Sequence, residues 1–254
     1  MSENWPDGVA RRVLATSPST NAEGLRLAPE LTGPTWILTY EQTSGRGRRG
    51  REWVMPSGNF AATLLTRPKG GLGVAAQLSF VAALALSDAL AQACGPSVSI
   101  SIKWPNDVLL NGGKIAGILL ESASTPGVEP AVAVGIGVNL AAAPDPGEIE
   151  ARAVAPVSVL GESGFVVTPD DFLDLLAPAF ARWQYQLETY GFSPIRNAWL
   201  GRAARLGEPI IARFGTHEEH GIFEGIDEGG ALILASSNGR QIIPAADVFF
   251  QGNL

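Results

Sequence analysis

The 254 residues are 46% hydrophobic and 17% charged, a composition that excludes a disordered or fibrous chain and suits one large domain or one domain with a small appendage. A net charge of -7 sets the molecule as a whole against phosphate backbones and anionic lipid, which excludes a general nucleic-acid coat protein. One cysteine, Cys94, and two histidines, His217 and His220, allow no internal disulfide and no soft-metal cluster, so the reading is a cytoplasmic chain with no structural zinc and no tightly bound metal.

In chain order, Met1 to Arg12 has no apolar run and reads as no secretory signal. Thr20, followed three residues later by Glu23, has capping-box spacing and opens a short helix to about Ala28. Trp36 to Tyr40 and Asn59 to Thr66 read as strands, separated by a long polar loop rich in glycine and arginine. Val74 to Cys94 is interrupted by polar residues too often to span a bilayer and reads as a buried helix. Val98 to Trp104 alternates as a half-buried strand. Val108 to Leu110 and Ile115 to Glu121 form a hairpin through Asn111-Gly112-Gly113. Ala131 to Leu140 is an apolar strand whose Gly135 and Gly137 share a face that something approaches closely. Residues 141 to 164, with three prolines and several small residues, read as a loop rather than an element, its role left open by the sequence.

Thr168-Pro169-Asp170-Asp171 then caps a helix with the apolar stripe Phe172, Leu175, Leu176, Ala179, Trp183, Leu187 and Tyr190, kinked at Pro178. Ser193-Pro194 starts another short helix. From Gly207 short alternating strands form a small barrel-like module. The class is therefore α+β, divided as 1–204 and 205–254.

Gly45 to Arg51 reads GRGRRGR and gathers four of the fifteen arginines. Glycine frees the backbone for N–H groups to converge on one anion, and guanidinium forks match phosphate oxygens. A solvated basic loop and an RNA-binding arginine-glycine box are the alternatives. Of three lysines, Lys103 and Lys114 flank one hairpin. Alternation against Ile102 and Trp104 turns Lys103 outward, whereas Lys114 opens an apolar strand in a placement that suits an anionic partner.

GRGRRGR with Glu52-Trp53, KWPND at Lys103 to Asp107, Lys114 to Glu121 as KIAGILLE, and Gly135 to Asn139 as GIGVN, preceded by Ser19-Thr20-Asn21, together resemble the catalytic core of the biotin protein ligases. The likeness runs from about Ser19 to the C-terminal end. It implies a class II aminoacyl-tRNA synthetase-like core, a mixed sheet flanked by helices, with a small SH3-like barrel after it. It also implies a ligase that joins biotin to AMP from ATP with Mg²⁺, releases pyrophosphate, and passes biotin to one lysine of the biotin carboxyl carrier protein of acetyl-CoA carboxylase or a related carboxylase. Only about eighteen residues precede the Ser19 motif, so the form expected is monofunctional, without the DNA-binding domain of the bifunctional members, and a monomer or homodimer with no nucleic-acid or membrane partner.

Carried over by residue, the likeness puts Ser19, Thr20 and Asn21 against the biotin ring, with Thr20 and Gln42 bonding the ureido group. Gly45, Arg46, Gly47 and Arg48 wrap carboxylate and phosphate, Arg49 and Arg51 steer the triphosphate, and Lys114 bridges the biotin carboxylate and the α-phosphate. Gly117 and Gly137 let biotin approach the backbone. Trp53, Asn106 and Asn139 fall to the nucleotide, although tryptophans such as Trp53 and Trp104 more often belong to a core than pack on biotin or adenine. Lys114, Arg48, Arg46 and Asp107 are the candidate catalytic set; Asp107 either orients or deprotonates the incoming lysine, or only caps a turn. The rivals are a lipoate or octanoate protein ligase of the same fold, a noncatalytic biotin-binding protein, and an arginine-glycine nucleic-acid binder.

Overall fold

The computed structural model describes residues 4–124, 129–145 and 152–250. Seven strands form one mixed sheet in the order β1-β2-β3-β7-β6-β5-β4. They are β1 (Ala10–Ser17), β2 (Thr35–Gln42), β3 (Phe60–Thr66), β4 (Ile100–Lys103), β5 (Asp107–Leu110), β6 (Gly113–Ala123) and β7 (Ala131–Val138). Only β1 and β2 run parallel, and α1 (Thr20–Leu27) makes the crossover between them. The hairpin at Asn111-Gly112 turns with φ of 49° and 86°, the left-handed pair that such a two-residue turn demands.

Strand alternation sorts the sheet into two faces. Trp36, Leu38, Phe60, Ala62, Leu64, Val132, Val134, Ile136 and Val138 join the main core with α3 (Leu78–Cys94) and α5 (Pro169–Tyr190). Trp36 meets Phe180 edge-on at 5.7 Å and Phe60 meets Phe172 at 5.1 Å. On the opposite face Leu65, Ala131 and Ala133 pack on Ala28 and Leu25 beside α1. Past α1, that face carries Ala61, Thr63, Gly117, Leu119, Gly135 and Gly137, and there the functional cavity opens.

The Val74 segment splits into α2 (Leu72–Ala75) and α3. Gly73–Cys94 is long and apolar enough to cross a membrane by length and composition, yet 67% of its most apolar window is buried inside the protein, as the buried-helix reading expects. The first helix is capped one residue earlier than the capping box suggests: Ser19 accepts from the Ala22 N–H, and Thr20 turns its hydroxyl into the cavity. Ala10–Ser17 is a strand that polar Arg11 and Arg12 conceal from pattern reading. β4 is shorter than Val98 to Trp104, and Lys103 is buried rather than outward, because Asp107 and the Phe250 ring close around its ammonium.

Within 141 to 164 the structure places a helix, α4 (Val159–Ser163), capped by Ser158, while residues 146–151 lie outside the described residues. α5 runs unbroken across Pro178. Phe172, Leu176, Ala179 and Leu187 of the expected stripe are buried and Leu175 and Trp183 pack against the core; Leu173, Ala177 and Phe180 widen that face, and Tyr190 alone of the stripe is exposed. α6 (Phe192–Leu200) follows, and residues 202 to 204 lie along β4, with Ile102 N–H donating to the Arg202 carbonyl and Ala204 N–H to the Ile102 carbonyl, both at 2.8 Å.

β8 (Pro209–Phe214), β9 (His217–Ile226), β10 (Leu232–Ser236), β11 (Gly239–Ile243) and β12 (Asp247–Phe250) form an antiparallel sheet in the order β11-β10-β9-β8-β12. It is the small antiparallel β module expected after the core, and among the described residues its hydrogen bonding leaves the five strands open rather than closed into a ring. Trp104 fixes it to the core by donating its Nε1–H to the Gly230 carbonyl at 3.0 Å, which makes Trp104 a core residue.

Candidate active site

A cavity of about 590 Å³ opens on the α1 face of the large sheet, within the size range of small-molecule sites. Its floor is β6 and β7, where Gly117, Gly135 and Gly137 alternate with core residues. A Cβ at Gly135 would collide with the Asn21 amide and one at Gly137 with the Trp53 indole; at Gly117 it would stand 3.0 Å from Trp53 Cζ3. The face is therefore bare backbone, with the indole of Trp53 lying over two of its glycines.

Ser19, Thr20, Asn21 and Gln42 line one end. Gln42 Oε1 accepts the Thr20 backbone N–H at 3.0 Å. Thr20 and Thr63 hydroxyls lie 2.8 Å apart, and Thr63 Oγ1 donates to Asn21 Oδ1 at 2.7 Å. The Asn21 amide donates to the Leu119 carbonyl at 3.2 Å and to Glu121 Oε2 at 2.9 Å.

The arginine loop arches over the middle. It closes on itself through Gly47 N–H to the Arg51 carbonyl at 2.7 Å and Trp53 N–H to the Gly45 carbonyl at 3.0 Å. Arg49 stands at φ 58°, a left-handed conformation that costs a non-glycine residue roughly 1–2 kcal/mol, so the surrounding bonds must hold it there. Arg46 reaches Glu121 at 3.2 Å. Arg48 donates to Asn106 Oδ1 and the Ala246 carbonyl, both at 3.4 Å, and burial pushes its guanidinium below the usual range. Arg49 and Arg51 meet Asp247 of β12 at 2.9 and 2.5 Å. Burial opposes the charged form of Asp247, but Arg51, Arg49 and Arg48 outweigh it and hold the carboxyl below its usual range.

At the far end one carboxylate serves two ammoniums. Asp107 Oδ1 lies 2.8 Å from Lys114 Nζ and Oδ2 lies 3.6 Å from Lys103 Nζ. Burial favours the neutral acid, yet Lys114 and Lys103 together keep the Asp107 carboxyl below the ordinary carboxylate range. Burial also pushes the Lys103 ammonium below the usual lysine range, against the pull of Asp107 and with the repulsion of Lys114. Lys114 is positioned by backbone pairing on its far side, its N–H donating to the Ala155 carbonyl at 2.8 Å and its carbonyl accepting from Val157 at 3.0 Å.

All the residues expected at a site converge here except two. Gly45 supports the loop from behind and Arg49 turns to Asp247, so neither lines the cavity. Asn106 and Asn139 line it while donating to the Ile118 and Val157 carbonyls. Pattern reading missed Glu121, Thr63 and Asp247, and turned Lys103 the wrong way. Glu121 ends the KIAGILLE stretch and was in view; Asp247 sits in a short strand with no local signal at all.

This arrangement has relatives. The model of the biotin/lipoate A/B protein ligase family matches residues 10–139, and that of the biotin protein ligase C-terminal domain matches 206–251. The chain is also 72% identical over 241 residues to the biotin–[acetyl-CoA-carboxylase] ligase of Paracoccus denitrificans, covering 94% of this chain and all of that one. This chain belongs to the biotin/lipoate A/B protein ligase family. Within the family it is 31% identical to the bifunctional ligase/repressor BirA of Escherichia coli over 231 residues, 90% of this chain and 70% of that protein. The fold matches a structure of the biotin protein ligase of Aquifex aeolicus in complex with biotin and ATP, with a TM-score of 0.79 at 24% identity over 94% of this chain and 97% of that one.

Proposed function

We propose that the chain is a cytoplasmic ATP-dependent biotin protein ligase acting on the biotin carboxyl carrier protein of acetyl-CoA carboxylase, with residues 1–204 as its catalytic part and 205–254 as its C-terminal part. The observation that carries the reading is the order of chemistries along one cavity: a polar end at Thr20 and Gln42, a bare glycine floor with Trp53, and a cationic end at Arg48 and Lys114. A molecule with a polar ring, an apolar stem and a carboxylate fits that order.

In the first step a biotin carboxylate oxygen attacks the α-phosphorus of ATP and pyrophosphate leaves. Two anions must meet, and Lys114 and Arg48 supply the fixed positive charge that stabilises the transition state. Mg²⁺ carried on the triphosphate would supply further positive charge against the leaving pyrophosphate. In the second step the amine of the acceptor lysine attacks the acyl carbon and AMP leaves. Asp107, held charged between two lysines, is a weak base, so its part is to hold Lys114 against the reacting centre. The arginine loop shields the acyl adenylate from water.

The test is to incubate the protein with biotin and Mg-ATP and to follow pyrophosphate release and covalent labelling of a biotin carrier domain. Absence of biotin-dependent pyrophosphate would overturn the reading. Turnover with lipoate in place of biotin would favour the lipoate ligase.

A further inference from the structure

We propose that Glu121 is a positioning residue with two tasks at the biotin end of the cavity: it fixes the hydrogen-bond polarity that selects the ring, and it clasps the arginine loop over it. The inference rests on the ligase reading and deepens it.

The polarity follows from counting protons. Both Asn21 amide hydrogens are spent on acceptor-only groups, the Leu119 carbonyl and the Glu121 carboxylate. The amide therefore has one orientation, and its oxygen requires the Thr63 hydroxyl to donate. Thr63 has no second proton, so across the 2.8 Å contact Thr20 donates to it. The other partner within reach of the Thr20 hydroxyl, Gln42 Oε1 at 3.3 Å, is an acceptor too, so either way the single Thr20 proton is spent internally. Thr20 can face the cavity only as an acceptor. Gln42 Oε1 is already occupied by the Thr20 backbone N–H, which leaves the Gln42 amide to face a ligand as a donor. An acceptor beside a donor is the complement of a cyclic urea, with its N–H and its C=O.

Without the Glu121 carboxylate, nothing charged prevents the Asn21 amide from turning over. Only the Leu119 carbonyl then opposes a turned amide, which donates to Thr63 so that Thr63 donates to Thr20; the Thr20 proton is left to the longer 3.3 Å contact with an already occupied Gln42 Oε1 or to the ligand, and the acceptor face toward the ring is no longer enforced. The same carboxylate holds Arg46 at 3.2 Å, tying the loop to β6 across the cavity. One side chain thus couples ring selection to loop closure.

Three variants separate these tasks. Glu121→Ala removes both. Glu121→Gln keeps an oxygen for the Asn21 amide and removes the charge that holds Arg46. Thr63→Val is nearly isosteric and breaks the relay without touching the loop. The ligands are biotin and its two cyclic carbamate analogues, in each of which one ring N–H is replaced by oxygen, measured by calorimetry; adenylate retention is measured as the release rate of pre-formed biotinyl-adenylate.

The wild type should reject at least one carbamate by roughly 100-fold or more, because its oxygen would meet an acceptor-only Thr20. Glu121→Ala and Thr63→Val should each reduce that rejection to about tenfold or less, chiefly by losing biotin affinity. Glu121→Gln should keep the preference and release adenylate about fivefold faster or more, the effect of a lost charge-assisted bond. Unchanged ring preference in Thr63→Val and Glu121→Ala overturns the polarity assignment, and unchanged release in Glu121→Gln overturns the clasp, while wild-type binding of biotin would leave the ligase reading standing. A wild type that does not bind biotin at all ends both.

Discussion

Asp107 is the residue on which the cationic end of the cavity balances, and Asp107→Asn tests that directly. At the observed separations of 2.8 and 3.6 Å, and with an effective dielectric constant near 20, the attraction to Lys114 and Lys103 is about 6 and about 5 kcal/mol. Desolvation of the buried carboxylate and of Lys103, together with repulsion between the two ammoniums, offsets most of this. What the substitution exposes is the cost of leaving Lys103 charged and buried without its counter-ion, about 3–5 kcal/mol. For a chain of this size that corresponds to a fall in Tm of roughly 6–20 °C.

The pH dependence carries its own sign. Asp107 titrates below its unfolded value, so its contribution is complete above about pH 4 and is lost as pH falls through the folded value. Lys103 titrates below its unfolded value of about 10.4, so in the variant the unfolded state binds more protons and stability rises with pH. The gap between wild type and variant should therefore be flat from about pH 5 to 7, close in acid, and narrow again toward about pH 10. Urea denaturation at a series of pH values measures it. Adding Lys103→Met to Asp107→Asn should recover at least half of the loss. If Asp107→Asn is as stable as wild type to within about 0.5 kcal/mol, the triad does not carry the charge balance described.

Three further outcomes follow from the site. Lys114→Ala should slow biotin adenylation by about 10² or more in single-turnover experiments while changing biotin affinity far less; the opposite split would assign Lys114 to ground-state binding. Gly137→Ala drives a methyl group into the Trp53 indole and should cost about 1–3 kcal/mol in thermal denaturation, with Trp53→Ala in the same chain restoring part of it; no cost would mean that the indole does not rest on the sheet as described. Asp247→Asn removes the carboxylate that Arg49 and Arg51 share, and trypsin should then cut within 46–51 about fivefold faster, whereas equal rates would show that the C-terminal sheet does not hold the loop.

The parts of this structure that were legible in the sequence are those specified locally. Short apolar runs such as Trp36 to Tyr40 and Ala131 to Leu140 announce strands, and Asn111-Gly112 announces its own turn, because each depends on neighbours within a few residues. The arginine loop was conspicuous because its charge departs from an acidic background. What was hidden depends on distant partners. Lys103 alternates like an outward residue, and its burial comes from β12 and Asp107 closing around it. Asp247 is one acid among many until folding brings it to Arg49 and Arg51, about two hundred positions away in the chain. Thr20 could cap its helix by spacing alone, and Ser19 takes that role because the cavity needs the Thr20 hydroxyl.

The stretch from Arg202 to Ala204, which leads to the C-terminal sheet, also covers the outer backbone of β4. Of the two borders of the large sheet, one is thereby shielded, and among the described residues only β1, with Arg11 and Arg12, ends on an unpaired side. Fibrous growth by strand addition needs a donor edge and an acceptor edge on every copy. A sheet with one open border can join a single neighbour back to back, and once joined the two large sheets have no border left on which a third large sheet could be added.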